Sequence, residues 1–171
     1  MNALLVIDMQ GAYFKDNPLE KQRRKLIENI QKQINIFSNK NNLIINVTTV
    51  HRRDKTTWTL NMLEDNQGFL FSGEEETSTL LHFPKTITTI QKTRDSAFHE
   101  TNLIKLLKEK DVQRVTLAGV SAHTCIFHTA SAAYAYDLPV TLLKNCIGDE
   151  NQEAMQQALN YLSKEYRQVI V

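Results

Sequence analysis

The chain has 171 residues, 42% of them hydrophobic and 23% charged, with a formal net charge of +1. That length suits one domain with a sizeable core, and the near-zero charge gives no support for a nucleic-acid partner. No apolar run approaches the roughly 20 residues needed to cross a bilayer, so no membrane partner is expected.

The first apolar run, 3–8, reads as a strand and ends in a carboxylate, Asp8. It lacks a basic start and stops too early for a signal peptide. A helix over 19–39 follows, with Leu26, Ile30, Ile34 and Phe37 at helical spacing. Its basic run Lys21-Gln-Arg-Arg-Lys25 reads as a solvated face. A second strand is predicted over 43–50. The rhythm then breaks. Residues 51–85 are rich in polar and turn residues and contain Trp58, Gly68 and Gly73. They read as an insertion with a short helix at 56–63, and such loops commonly carry specificity. Trp58, Phe69 and Phe71 suit either a pocket lining or packing onto the same domain or a partner subunit. Glu74-Glu-Glu76 reads as solvated.

The β-branched run 86–92 is a third strand, ending in Lys92 and followed by Thr93-Arg-Asp-Ser-Ala-Phe98. A helix over 101–110 carries Leu103, Ile104, Leu106 and Leu107. Strand 114–119 ends at Gly119, and a helix over 123–136 places Cys125 in or near its first turn. Strand 140–146, helix 151–164 and strand 168–171 complete the chain. Near-continuous apolar strands separated by helices predict an α/β fold: three layers, α/β/α, around a six-stranded, mostly parallel, Rossmann-like sheet. The domain expectation is a single unit over 1–171 with the insertion at about 51–85. Two cysteines, Cys125 and Cys146, do not make a disulfide framework, so a reduced, cytoplasmic setting is expected.

Three strand runs end at Asp8, at Lys92 and near Cys125. Ligands of open parallel sheets sit beyond the carboxyl ends of the strands, so a carboxylate, an ammonium and a thiol are expected in one crevice. Unpaired N–H groups at a helix start favour a thiolate and an oxyanion. Without the other two segments, Cys125 reads more readily as a small buried residue than as a nucleophile. No Gly-x-Gly-x-x-Gly or phosphate-binding loop is present, so no nucleotide cofactor is expected. The residues after Cys125 lack the Gly and Arg of a phosphate cradle. Cys146 reads as a core or rim thiol.

The segments Leu5-Val-Ile-Asp8-Met-Gln10, Lys92-Thr-Arg-Asp-Ser-Ala-Phe98 and Ala118-Gly-Val-Ser-Ala-His-Thr-Cys125 together resemble the isochorismatase-like cysteine hydrolases, a superfamily that includes nicotinamidases and N-carbamoylsarcosine amidases. The resemblance covers nearly the whole chain. It implies an Asp–Lys–Cys triad at Asp8, Lys92 and Cys125, an oxyanion hole from the backbone N–H groups of Ser121 and Cys125, and a cis peptide between Val120 and Ser121. It further implies a small-molecule substrate and assembly as a homodimer or homotetramer. Phe14, His51, Trp58, Phe98 and His123 are the candidates for the substrate pocket, although His51 also suits a cap on the second strand. Metal-binding nicotinamidases carry Asp-x-His near the second strand; the matching place reads Thr49-Val-His51. About three protein ligands are needed for a catalytic metal, so neither a metal nor another cofactor is expected. The function expected is cleavage of a C–N bond in a small amide or ureido compound through a thioester. The alternatives are a metal-dependent nicotinamidase with unusual ligands, or a non-catalytic binding or assembly member of the family.

Overall fold

The computed structural model describes every residue except Thr86. The predicted start of the third strand falls on that residue and lies outside the described ones. Six strands form one sheet: β1 (Asn2–Ile7), β2 (Leu43–Thr49), β3 (Thr88–Lys92), β4 (Arg114–Gly119), β5 (Val140–Ile147) and β6 (Val169–Ile170). Their order is β3-β2-β1-β4-β5-β6 and every pairing is parallel. The helices are α1 (Arg23–Asn39), α2 (Leu60–Glu64), α3 (Leu103–Glu109), α4 (Phe127–Ala135) and α5 (Gln152–Glu165).

Alternation along β1 builds both faces. Ala3, Leu5 and Ile7 join the cluster that holds Leu103 and Leu107 of α3, Ala130 of α4 and Leu159 of α5. Leu4 and Val6 point the other way, onto Leu26, Ile30 and Ile34 of α1. The central strand is therefore apolar on both faces, as a sheet covered by two helical layers requires. The fold class matches the one expected from the sequence.

Several boundaries differ, for local reasons. Pro18 opens a 3-10 turn, Pro18–Gln22, so α1 begins at Arg23 rather than 19. The predicted helix at 56–63 is instead the short α2, capped by the Thr59 side chain on the Met62 N–H. The helix expected over 123–136 is preceded by a π turn, Ala122–Ile126. Gly119 sits at φ +123, and a Cβ there would lie 1.9 Å from the Ile7 carbonyl oxygen. Only glycine lets β4 end this close to β1.

That strand order places β1 and β4 side by side at the point where the chain's direction of sheet growth reverses. In open α/β sheets the crevice beyond these strand ends is where ligands bind. Among the described residues no helix is long and apolar enough to cross a membrane.

Candidate active site

Asp8 follows β1, and its own backbone is unusual, with φ +53. The left-handed region costs an L-residue about 1–2 kcal/mol and is usually retained only where the surroundings fix it. Here the Asp8 N–H donates to the Val47 carbonyl at 2.9 Å, and the side chain is fully buried. Lys92 ends β3, two strands away, and Thr49 ends the intervening β2 in register with it. The Thr49 hydroxyl fills the gap. It accepts from Lys92 Nζ at 2.7 Å and donates to Asp8 Oδ1 at 2.9 Å. Lys92 Nζ also lies 2.8 Å from Asp8 Oδ2, as an ion pair whose angle is poor for a hydrogen bond. From the other side of β1, Cys125 brings its Sγ to 3.3 Å from Lys92 Nζ. The structure thus brings Asp8, Lys92 and Cys125 together, with Thr49 as the link.

Gln10 holds that link in place. Its buried amide donates to the Thr49 carbonyl at 2.9 Å and accepts from the Thr49 N–H at 2.9 Å. It also donates to Thr77 O at 2.8 Å, which ties the segment between β2 and β3 to the strand ends. Gln10 belongs to the opening motif, yet nothing in its spacing reveals that both of its amide atoms clasp one residue of another strand.

The electrostatics correct one expectation. A thiolate-favouring setting was read for Cys125, but burial and the Asp8 carboxylate push its thiol well up, and Lys92 only partly offsets them. Cys125 therefore sits beside the Asp8–Lys92 ion pair in surroundings that disfavour its thiolate. Burial works against the Lys92 ammonium, but Asp8 and the Cys125 sulfur outweigh it and raise its pKa. Tyr13 is raised well above its ordinary 10.0 by burial and by the nearby Asp8 and Cys125.

The segment carrying Cys125 is fixed by the turn after β5. The Ala122 N–H donates to the Gly148 carbonyl at 3.0 Å, and the His123 N–H to Asp149 Oδ2 at 2.9 Å. The Ser121 hydroxyl donates to Glu150 Oε2 at 2.9 Å. The Val120–Ser121 peptide is cis.

The pocket candidates scatter. Phe14 is fully buried in the core against the α1 layer, and its neighbour Tyr13 is the aromatic side chain whose titration feels Asp8 and Cys125. The 3-10 turn over Gly11–Tyr13, with Phe14 as its C-cap, sends the two adjacent rings in different directions. Phe98 packs in the opposite core and against Tyr136, with ring centroids 5.3 Å apart. Trp58 anchors its segment: Nε1 donates to Arg52 O at 2.8 Å, and the ring packs on Phe71 at 6.0 Å. The His123 ring pairs with Asp149 Oδ2 at 2.7 Å. His51 does sit near the cluster. It is buried, its Nδ1 lies 2.9 Å from Thr57 O, and its pKa is lowered by burial and further by Arg94 and Lys92. Phe69, 44% exposed, stands over it and over Tyr13, each ring 6.0 Å away.

At the place of the Asp-x-His pair, the Thr49 hydroxyl is held between an ammonium and a carboxylate and offers no charged ligand atom, while His51 has its Nδ1 at Thr57 O and the Lys92 charge nearby. Among the described residues, the one group of three potential ligands is His123, Asp149 and Glu150. Asp149 accepts from the backbone N–H groups of His123 and Asn151 and pairs with the His123 ring, and Glu150 accepts from the Ser121 hydroxyl.

This open parallel sheet with a carboxylate, an ammonium and a thiol at its switch point defines an isochorismatase-like architecture. Residues 2–171 match the family model of the isochorismatase domain, and the chain belongs to that family. It is 29% identical over 146 residues to a probable inactive nicotinamidase of Arabidopsis thaliana, covering 80% of this chain and 74% of that one. It is 34% identical over 71 residues to an uncharacterized isochorismatase family protein of Bacillus subtilis (strain 168), a match that spans 42% of this chain and only 39% of that relative's length. In fold it is similar to the pyrazinamidase of Pyrococcus horikoshii in complex with zinc, with a TM-score of 0.86 at 23% identity over 99% of this chain and 98% of that one.

Proposed function

We propose that this protein is a cysteine hydrolase that cleaves the C–N bond of a small amide or ureido compound without a metal. The observation that carries the reading is the contact of Cys125 Sγ with Lys92 Nζ at 3.3 Å inside a buried Asp8–Lys92 pair. A buried charge pair of this kind is costly to assemble, and pairing a carboxylate with a thiol is how a weak nucleophile is activated.

The thiol starts protonated. As Sγ forms its bond to the substrate's carbonyl carbon, the thiol proton passes to Asp8, and the carbonyl oxygen takes up the negative charge. The backbone N–H groups of Ser121 and Cys125 hold that oxyanion. Collapse breaks the C–N bond, the leaving nitrogen takes the proton back from Asp8, and a thioester remains. Water then attacks the thioester with Asp8 as base. The acid departs and sulfur regains its proton. Lys92 stays charged throughout and holds the Asp8 carboxyl in place; Thr49 holds the two in register. Cys125 is only 4% exposed, which supports a small substrate. The expected setting is cytoplasmic and the expected assembly a homodimer or homotetramer.

The test is a screen of small amides and ureides for ammonia release, run with wild type, Cys125→Ala and protein dialysed against a strong chelator. The reading requires at least one substrate that the wild type hydrolyses, the dialysed protein hydrolyses equally, and Cys125→Ala does not. Activity lost on chelation and restored by zinc would replace it with metal-dependent chemistry.

A further inference from the structure

Asp95 stands at the mouth of the site, and the reaction as drawn gives it no part. Its Oδ1 lies 3.9 Å from Cys125 Sγ, too long for a strong hydrogen bond yet next to the reacting atom. The side chain is 53% exposed. The other charged groups near the sulfur are held by fixed partners. Asp8 and Lys92 neutralise each other. The Arg94 guanidinium donates to Thr57 O at 2.8 Å and Trp58 O at 3.3 Å in the segment between β2 and β3, and to Thr93 O at 2.7 Å. Among the described residues, the one cationic partner of Asp95 is the His128 ring, whose Nδ1 is 3.6 Å from Oδ2 and also 2.9 Å from Thr124 O. Asp95 therefore presents a half-exposed carboxylate at the entrance, with no Lys or Arg salt-bridge partner among the described residues.

We infer that Asp95 makes the site charge-selective: it favours small substrates bearing an ammonium or N–H-rich group beside the reacting carbonyl and turns away those bearing a carboxylate there. The inference rests on the proposed reading of Cys125 as the reacting group. Once the carbonyl carbon reaches Sγ, substituents one or two bonds away lie within a few ångströms of the Asp95 oxygens. An amide's N–H groups or an ammonium gain a charge-assisted contact there, whereas a carboxylate meets a like charge. Asp95 also contributes, after burial and Asp8, to holding the Cys125 thiol neutral. The sequence alone shows Asp95 only as one polar residue in Lys92-Thr-Arg-Asp-Ser-Ala-Phe98.

The test uses three methanethiosulfonates of different charge, the 2-aminoethyl, 2-hydroxyethyl and 2-sulfonatoethyl reagents, and the Asp95 variants separate the effect of charge from that of size. Labelling of Cys125 in the full chain is followed by mass spectrometry, each rate is divided by that of a free thiol, and Cys146 serves as the internal control. One unit charge at about 4 Å in water is worth about fivefold in rate, so the cation-to-anion ratio on Cys125 should be roughly tenfold after screening. Asp95→Asn should bring that ratio near one, Asp95→Glu should keep most of it, and the Cys146 ratio should not move. Because Asp95 is exposed, both variants are expected to melt like the wild type. An unchanged ratio in Asp95→Asn overturns the inference. So does the absence of any Cys125 labelling, since the mouth would then admit no small molecule past Asp95. The thiolate fraction cancels in each ratio, so the outcome is independent of whether Cys125→Ala abolishes hydrolysis, which tests the catalytic reading separately.

Discussion

The strand ends that form the floor of the site and the 51–85 segment that forms its rim use the same kinds of groups to different effect. In the floor, Asp8, Lys92 and Cys125 are at most 4% exposed, and each charged atom meets a fixed partner. At the rim, Arg53 pairs with Glu74 and stacks on Phe71 with its guanidinium 4.5 Å from the ring centre, but the Arg53 side chain is 70% exposed. Water screens the rim pair and makes it worth little. Burial makes the floor pair expensive to break and useful for proton transfer. Floor substitutions should therefore act on chemistry and rim substitutions on affinity or on nothing.

The largest expected effect breaks the floor. Asp8→Asn should reduce turnover at least about a thousandfold, in line with loss of a general base. The same change removes the second-largest cause of the raised thiol pKa, leaving Lys92 beside the sulfur. Alkylation of Cys125 at neutral pH, read by mass spectrometry, should therefore become faster while catalysis is lost. Slower alkylation would contradict the electrostatic account. Thermal melting must accompany the measurement, because an unpaired buried Lys92 is itself destabilising by about 3–5 kcal/mol.

A smaller effect is expected at the link. Thr49→Val keeps the shape but removes both hydrogen bonds between Lys92 and Asp8. At about 1–3 kcal/mol for leaving buried groups unsatisfied, kcat should fall roughly 10- to 100-fold. Thr49→Ser should restore most of it. Equal kinetics for Val and Ser would show that the hydroxyl is dispensable.

Cys146 sharpens the contrast between a thiol beside charges and one without. Burial alone pushes it from 9.0 up to about 11. With a raised folded-state pKa, its contribution to stability is complete below pH 9 and is lost as pH rises toward 11. Urea titrations should find a steeper loss of stability between those values in the wild type than in Cys146→Ala. Equal slopes would mean the thiol is hydrated.

The smallest effect lies on the rim: Arg53→Ala should change stability by less than about 0.5 kcal/mol despite its salt bridge and ring contact. A loss of several kcal/mol in a denaturant titration would show that the rim is as tightly coupled as the floor.

Much of this molecule is written in local pattern. The alternation of apolar runs with amphipathic stretches determined an α/β sheet with helices on both faces, because burial on both faces leaves strands without polar positions while helices keep one wet side. Three motifs at strand ends identified Asp8, Lys92 and Cys125. What the sequence could not determine is who meets whom across strands. Thr49 looked like a missing metal ligand; only the order β3-β2-β1 and the Thr49–Lys92 register make it the bridge between ammonium and carboxylate. Phe14 and Tyr13 are adjacent in sequence, and only the 3-10 turn decided that the first enters the core and the second meets the site. The direction of the Cys125 shift likewise waited on the fold, since a thiol's pKa is set by burial and by the distance to Asp8, and neither quantity exists until distant strands are packed side by side.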